Sequence, residues 1–184
     1  MITKVTFLKD YRCFKEGECY SFQPGVNLLV GDQGCGKSSL LTLFGKCKSP
    51  DIIEVSTDKL TQTASFDFEH DNLRTQGALS QNKVKFTAQV AFLWSSHGQS
   101  VNYVLNKLDK LETDVLFMDE PDMALSIRSI LKLVHKLQEV EKLGKQIITA
   151  VHNPLLISKF DSVLSLEHKT WMNSKDFIKL QEVV

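Results

Sequence analysis

"PGVNLLVGDQGCGKSSLLTLFGK", Pro24 to Lys46, decides the fold. Pro-Gly marks a turn, Val26 to Val30 is an apolar run of buried-strand length, three glycines follow, and Leu40, Leu41, Leu43 and Phe44 recur at helical spacing. The stretch therefore predicts strand, loop, helix. Within it Gly31 to Ser38 fits G-x-x-x-x-G-K-[ST] in full, in the strand-to-helix context the pattern requires. The glycines let the loop curl so that backbone N–H groups converge, and the helix N-terminus adds partial positive charge; together they suit phosphate. Gly31, Asp32, Gln33, Gly34, Cys35, Gly36, Lys37, Ser38 and Ser39 form the candidate nucleotide-binding set. Lys37 is expected to reach the β and γ phosphates and the Ser38 hydroxyl to ligate Mg²⁺. The competing reading is a glycine-rich turn that happens to precede Lys-Ser.

Upstream, Ile2, Val5 and Phe7 suit a first strand that turns near Lys9 to Tyr11, with "ECYSF" as its return strand. Downstream, Lys48 to Phe86 is polar and irregular, and "TASFDFEHDNLRTQG" suggests a short strand followed by a loop or lid. Val101 to Leu111 has helical spacing, and "DVLFMDEPD" is an apolar run ending in acids, as a fully buried parallel strand should be. Ile127, Ile130, Leu131, Val134, Leu137 and Val140 make one predicted helix face, which Gly144 ends; "QIITAV" and "SVLSL" are two further buried strands. Alternating strands and helices predict an α/β fold with a mostly parallel central sheet flanked by helices. Trp171 and Met172 are read as core or dimer packing.

With 184 residues and 42% apolar side chains, the chain is expected to form one domain, 1–184. Twenty-two basic residues balance twenty-two acidic ones, so no overall field draws the protein to nucleic acid or an anionic membrane, although a local basic patch stays open. Cys13, Cys19, Cys35 and Cys47 show no metal-ligand spacing, nothing at the start resembles a signal peptide, and no apolar run approaches the roughly 18 residues of a membrane span. A reduced, cytoplasmic protein is the expectation.

Two acids and a histidine extend the phosphate chemistry. Asp119 ends "VLFMD" and is expected to hold the metal shell from the strand beside the P-loop strand. Glu120 follows, where it could polarise a water facing the γ phosphate. His152 in "ITAVHNP" ends another apolar run, at the carboxyl edge where open α/β sheets bind ligands. "SSHGQS", Ser95 to Ser100, precedes a helical pattern and reads locally as a helix cap. Solvated turn acids and a surface histidine are the plainer readings of these residues.

The order of motifs, P-loop, SSHGQS, VLFMDEP and His152, resembles the ATP-binding cassette ATPases. In detail it is similar to the soluble branch related to the SMC, RecF and OLD-type ATPases, through "LKDYRCF", "FDFEHDNLRTQ", "DEPDMALSIR", "AVHNPLLI" and "VLSLEHKTWM". The resemblance implies Lys37 and Ser38 as phosphate and magnesium contacts, Asp119 as metal partner, Glu120 as catalytic base and His152 as switch histidine. It places Ser96, His97, Gly98 and Gln99 in the signature peptide that closes on the γ phosphate of a second copy, within a reduced helical subdomain spanning about 60–112. Glu69 is the candidate metal-sensing residue ahead of Gln62 and Gln76, and Arg12 either reaches the nucleotide or sits on a solvated turn. Ser126 stands where transporters carry an aspartate.

The function so implied is an ATP-binding, ATP-hydrolysing head that dimerises around two ATP and Mg²⁺ and switches an effector, in DNA metabolism or phage defence, with no membrane partner. An alternative of another class is a slow, nucleotide-gated regulatory or binding module for a nuclease or nucleic-acid complex. Complete Glu120 and His152 motifs favour turnover, whereas zero net charge and the lack of an effector domain favour dependence on a partner. A small-metabolite kinase would need a lid with arginines, and only Arg74 and Arg128 lie beyond the P-loop.

Overall fold

The computed structural model describes residues 1–46, 50–59, 61–67 and 113–182. Buried Ile2, Val5 and Phe7 make β1 (Ile2–Phe7) an amphipathic strand. It forms the predicted antiparallel pair with β2 (Cys19–Ser21). Its other edge pairs antiparallel with β4 (Ile53–Thr57), which lies in the stretch expected to be irregular. Only Ile53 of β4 is buried, so the strand carries no alternation to read.

The main sheet has six strands in the order β5-β6-β7-β3-β8-β9. These are β3 (Val26–Val30), β5 (Thr63–Asp67), β6 (Val115–Asp119), β7 (Gln146–Ala150), β8 (Ser162–Ser165) and β9 (Thr170–Asn173). All run parallel except β9. Helix α1 (Lys37–Lys46) follows the P-loop, α2 (Ile127–Lys142) follows β6, a short α3 (Pro154–Ile157) follows β7, and α4 (Ser174–Gln181) follows β9.

Burial on both faces explains the continuous apolar strands. Leu28, Val30, Leu116 and Met118 face α2, whereas Leu29, Val115 and Phe117 face α1 and the small sheet. Phe44 of α1 stacks on Phe117 at 5.1 Å between centroids. On α2 the buried stripe is Ile130, Leu133, Val134, Leu137 and Val140, closed by Gly144 at φ +76°. Two members of the expected face differ: Ile127 is 73% exposed and Leu131 44% exposed. Ile127 is the first residue of the helix, ahead of its buried stripe, and Leu133 takes the place in the stripe that Leu131 was expected to fill.

One expectation about the sheet is corrected. Asp119 does not stand on the strand next to the P-loop strand, because β7 lies between β6 and β3. Trp171 and Met172 are partly buried, packed against the two cores, and Trp171 Nε1 donates to the Ser21 carbonyl at 2.9 Å. The helical pattern from Val101 to Leu111 lies outside the described residues. Among the described residues no helix is long and apolar enough to cross a membrane.

Gln146 fastens the two sheets together. Fully buried, it accepts from Ile2 N at 2.8 Å and donates to Ile2 O at 2.8 Å and Gln23 O at 2.9 Å. Gln146→Leu would leave buried backbone groups unpaired, at about 1–3 kcal/mol each. We expect a loss of about 3 kcal/mol of stability, read as a lower urea midpoint at unchanged slope; a midpoint equal to the parent's would refute this role.

Candidate functional site

The carboxyl ends of β3, β7 and β6 lie side by side, so the segments that follow them share one edge of the sheet. After β3 the loop turns through Gly31, Gly34 and Gly36 at φ +136°, +86° and +103°. Alternation between left-handed and ordinary conformations turns successive N–H groups to one side. Gly36 O accepts the first helical bond, from Leu40 N at 2.9 Å, and a glycine there puts no side chain over the helix mouth. Lys37, 5% exposed, bends back so that Nζ donates to Gly31 O at 2.7 Å and Asp32 O at 3.0 Å. Its charge is thus held at the loop.

The first hairpin supports this loop from below. A Cβ at Gly36 would stand 2.4 Å from Cys13 Sγ and 2.7 Å from the Phe14 ring, which is itself buried and stacked on Phe7. A Cβ at Gly34 would meet nothing. Gly34→Ala is expected to cost only the backbone term, about 1–2 kcal/mol. Gly36→Ala adds a clash with an immobile ring and is expected to lower nucleotide affinity at least tenfold; calorimetry that finds the two variants equal would overturn the distinction. Cys13 Sγ also donates to Cys35 O at 3.3 Å, and burial, with a smaller contribution from Cys35, pushes the Cys13 thiol up.

Arg12 stands at φ +52°, with its guanidinium 5.5 Å above the Tyr11 ring and Nη1 donating to Ser39 Oγ at 2.7 Å. Arg12 sits on an exposed turn of the first hairpin, and from there its side chain reaches the first turn of α1. Ser38 Oγ donates to Asp119 Oδ1 at 3.1 Å, across the end of β7. A hydroxyl and a carboxylate are the hard oxygen ligands suited to a Mg²⁺ that keeps waters and substrate phosphates in its shell. Among the described residues no cluster of three His, Cys, Asp or Glu could hold a metal by protein groups alone.

Glu120 follows β6 at φ +50°, in a conformation fixed by Glu120 N donating to Ala150 O at 3.2 Å and by Met123 N donating to Glu120 O at 3.2 Å. Its Oε1 lies 3.0 Å from His152 Nε2. Strain of this kind at a non-glycine residue costs of order 1–3 kcal/mol and persists where neighbours over-determine it. Asp122, which the sequence reading passed over, is 5% exposed and accepts from both His152 N at 2.8 Å and Asn153 N at 2.6 Å. Its partners are backbone groups 30 and 31 residues away, so no residue-type pattern in the sequence marks it.

A cleft of about 370 Å³ adjoins these groups, with Asp32, Gln33 and His152 on one side and Phe177 and Gln181 of α4 on the other. Gln62 stands at the opposite end of the sheet, where its N–H donates to Asp114 Oδ2 at 3.0 Å, so it is removed from the candidates. Glu69, Gln76, Ser96, His97, Gly98 and Gln99 lie outside the described residues. Asp67, the last residue of β5, pairs with Asp119 across β5 and β6.

Comparison with known proteins agrees with this architecture. The structure is similar to cbiO1 from Clostridium perfringens, part of the ABC transporter complex cbiONQ, with a TM-score of 0.70 and 17% identity over 99% of this chain and 92% of that one. It is also similar to a dimeric ATP-binding cassette in a post-hydrolysis state bound to ADP and Pi, with a TM-score of 0.64 and 14% identity over 95% of this chain and 99% of that one. The fold is thus that of the P-loop ATPases of ABC type. No curated protein matches the sequence. The sequence pattern of the AAA domain covers residues 7–154, and with the P-loop, the acids and the histidine all inside that span, the chain belongs to the AAA domain family.

Proposed function

We propose that the protein binds and hydrolyses ATP as a single ABC-type head, residues 1–184, of the soluble SMC, RecF and OLD-like branch. The observation that carries this reading is the convergence on one sheet edge of the P-loop lysine, the Ser38–Asp119 pair and the Glu120–His152 pair. In this reading the loop N–H groups and Lys37 bind the phosphates, and Arg12 steadies Ser39 in the first turn of α1. Ser38 and Asp119, with Glu69 proposed from the sequence as the metal-sensing residue, would hold Mg²⁺, which supplies charge neutralisation at the β and γ phosphates when bound. Glu120 orients and deprotonates the attacking water, and His152 holds Glu120 in place.

Phosphoryl transfer asks mainly for positioning and charge stabilisation, which this rigid edge can give. Ser96, His97, Gly98 and Gln99 of one copy are proposed to close on the γ phosphate bound by another, giving an ATP-dependent homodimer in the cytoplasm that switches an effector. DNA metabolism and phage defence are the settings suggested by the sequence resemblance. Phosphate release from Mg-ATP by the unmodified protein, with and without DNA, tests the reading. Turnover supports an ATPase head; ATP binding with no release under either condition replaces it with a nucleotide-gated binding module.

A further inference from the structure

The turn after β6 does more than carry Glu120. Met123 N donates to Glu120 O at 3.2 Å and Leu125 N to Asp122 O at 3.4 Å, which folds residues 120–125 back over the end of β7. Asp122 is thereby sunk to 5% exposure with Oδ2 aimed at the backbone that follows β7. One oxygen accepts two consecutive N–H groups, from His152 and Asn153, at 2.8 and 2.6 Å. The other, Oδ1, is buried without a hydrogen-bond partner among the described residues. On the far side Asn153 Oδ1 accepts from Leu155 N and Leu156 N, so the turn is held from both ends.

A buried carboxylate that leaves one oxygen unpaired is an expensive way to tie down a loop. What it secures is the backbone of His152, whose ring meets Glu120 with Nε2 3.0 Å from Oε1. The His152 ring is 45% exposed, so little packing holds it; its placement depends on its backbone. We propose that Asp122 is a positioning residue, which fixes the His152 backbone and through it the orientation of the Glu120 carboxylate. The inference rests on the ATPase reading for its kinetic consequence, but its structural part stands apart from it.

Asp122→Ala should lower kcat roughly ten- to hundredfold, the scale of a sub-ångström to ångström misplacement, with KM for ATP and nucleotide affinity unchanged. Asp122→Asn keeps an oxygen that can accept both N–H groups and should hold kcat within about threefold of the parent. In the double variant with His152→Ala, activity should fall no further than with His152→Ala alone, because both changes break the same link. The His152 ring ¹⁵N resonances should move in Asp122→Ala as they move in Glu120→Gln, a readout that needs no turnover. Additive losses, an Asn variant as impaired as the Ala variant, or unmoved His152 resonances would each overturn the proposal. If the parent protein hydrolyses nothing, the ATPase reading fails while the resonances still decide this one; if Asp122→Ala does not fold, Asp122→Asn and its resonances do so.

Discussion

Lys37→Ala is expected to abolish measurable ATP binding. The ammonium is nearly buried and already placed by two loop carbonyls, those of Gly31 and Asp32, so little side-chain freedom remains to be lost when phosphate arrives. Hydrogen bonds to charged groups contribute about 1.5–3 kcal/mol each. Removing two such contacts costs about 3–6 kcal/mol, or roughly two to four orders of magnitude in affinity. The backbone of the loop is set by its glycines and by Phe14 beneath it, so the fold should survive. The check is calorimetric titration of ATP with Mg²⁺ alongside a urea unfolding curve. An affinity within threefold of the parent, in a folded variant, would refute the phosphate-binding role of the loop.

Glu120→Gln should separate binding from turnover. Glutamine keeps the length of the side chain and an oxygen that can meet His152 Nε2, and the strained backbone is held by the same bonds to Ala150 and from Met123. What disappears is the ability to take a proton. General-base catalysis contributes on the order of 10²–10⁴ in rate, so single-turnover phosphate release should slow by that factor while ATP affinity stays near the parent value. An ATP-bound dimer should then accumulate. Native mass measurement with and without ATP reads both outcomes at once, and a variant that turns over normally would remove Glu120 from the role of base.

The strand, glycine loop and first helix were legible because three local signals agreed: an apolar run, glycines at the turns, and helical spacing beginning at Leu40. β8 and the end of α2 were equally plain, the first from its apolar run, the second from Gly144. Of the strands at sheet edges, β2 and β5 were anticipated in "ECYSF" and "TASFD", whereas β4 and β9 were not. β4 exposes most of its residues, and β9 follows a turn through Lys169 at φ +56°, so neither shows a clean period. The position of β7 between β6 and β3 was beyond the sequence, since strand order is a property of tertiary pairing. Asp122 was missed for the same reason. Its partners lie 30 and 31 residues away and are backbone groups, which leave no residue-type pattern to find.

The neighbours of β3 have a consequence for how the protein is made. Among the described residues, the strand that carries the P-loop pairs with β7 and β8, which begin at Gln146 and Ser162. A chain growing from its N-terminus therefore encodes the nucleotide grip within its first forty or so residues, yet that strand has no sheet to join until the last quarter of the polypeptide emerges. Such late, long-range pairing is slow and leaves an apolar strand exposed in the interval. A nonsense mutation between Ser39 and Gln146 leaves an intact phosphate motif on a strand that lacks both of its sheet neighbours.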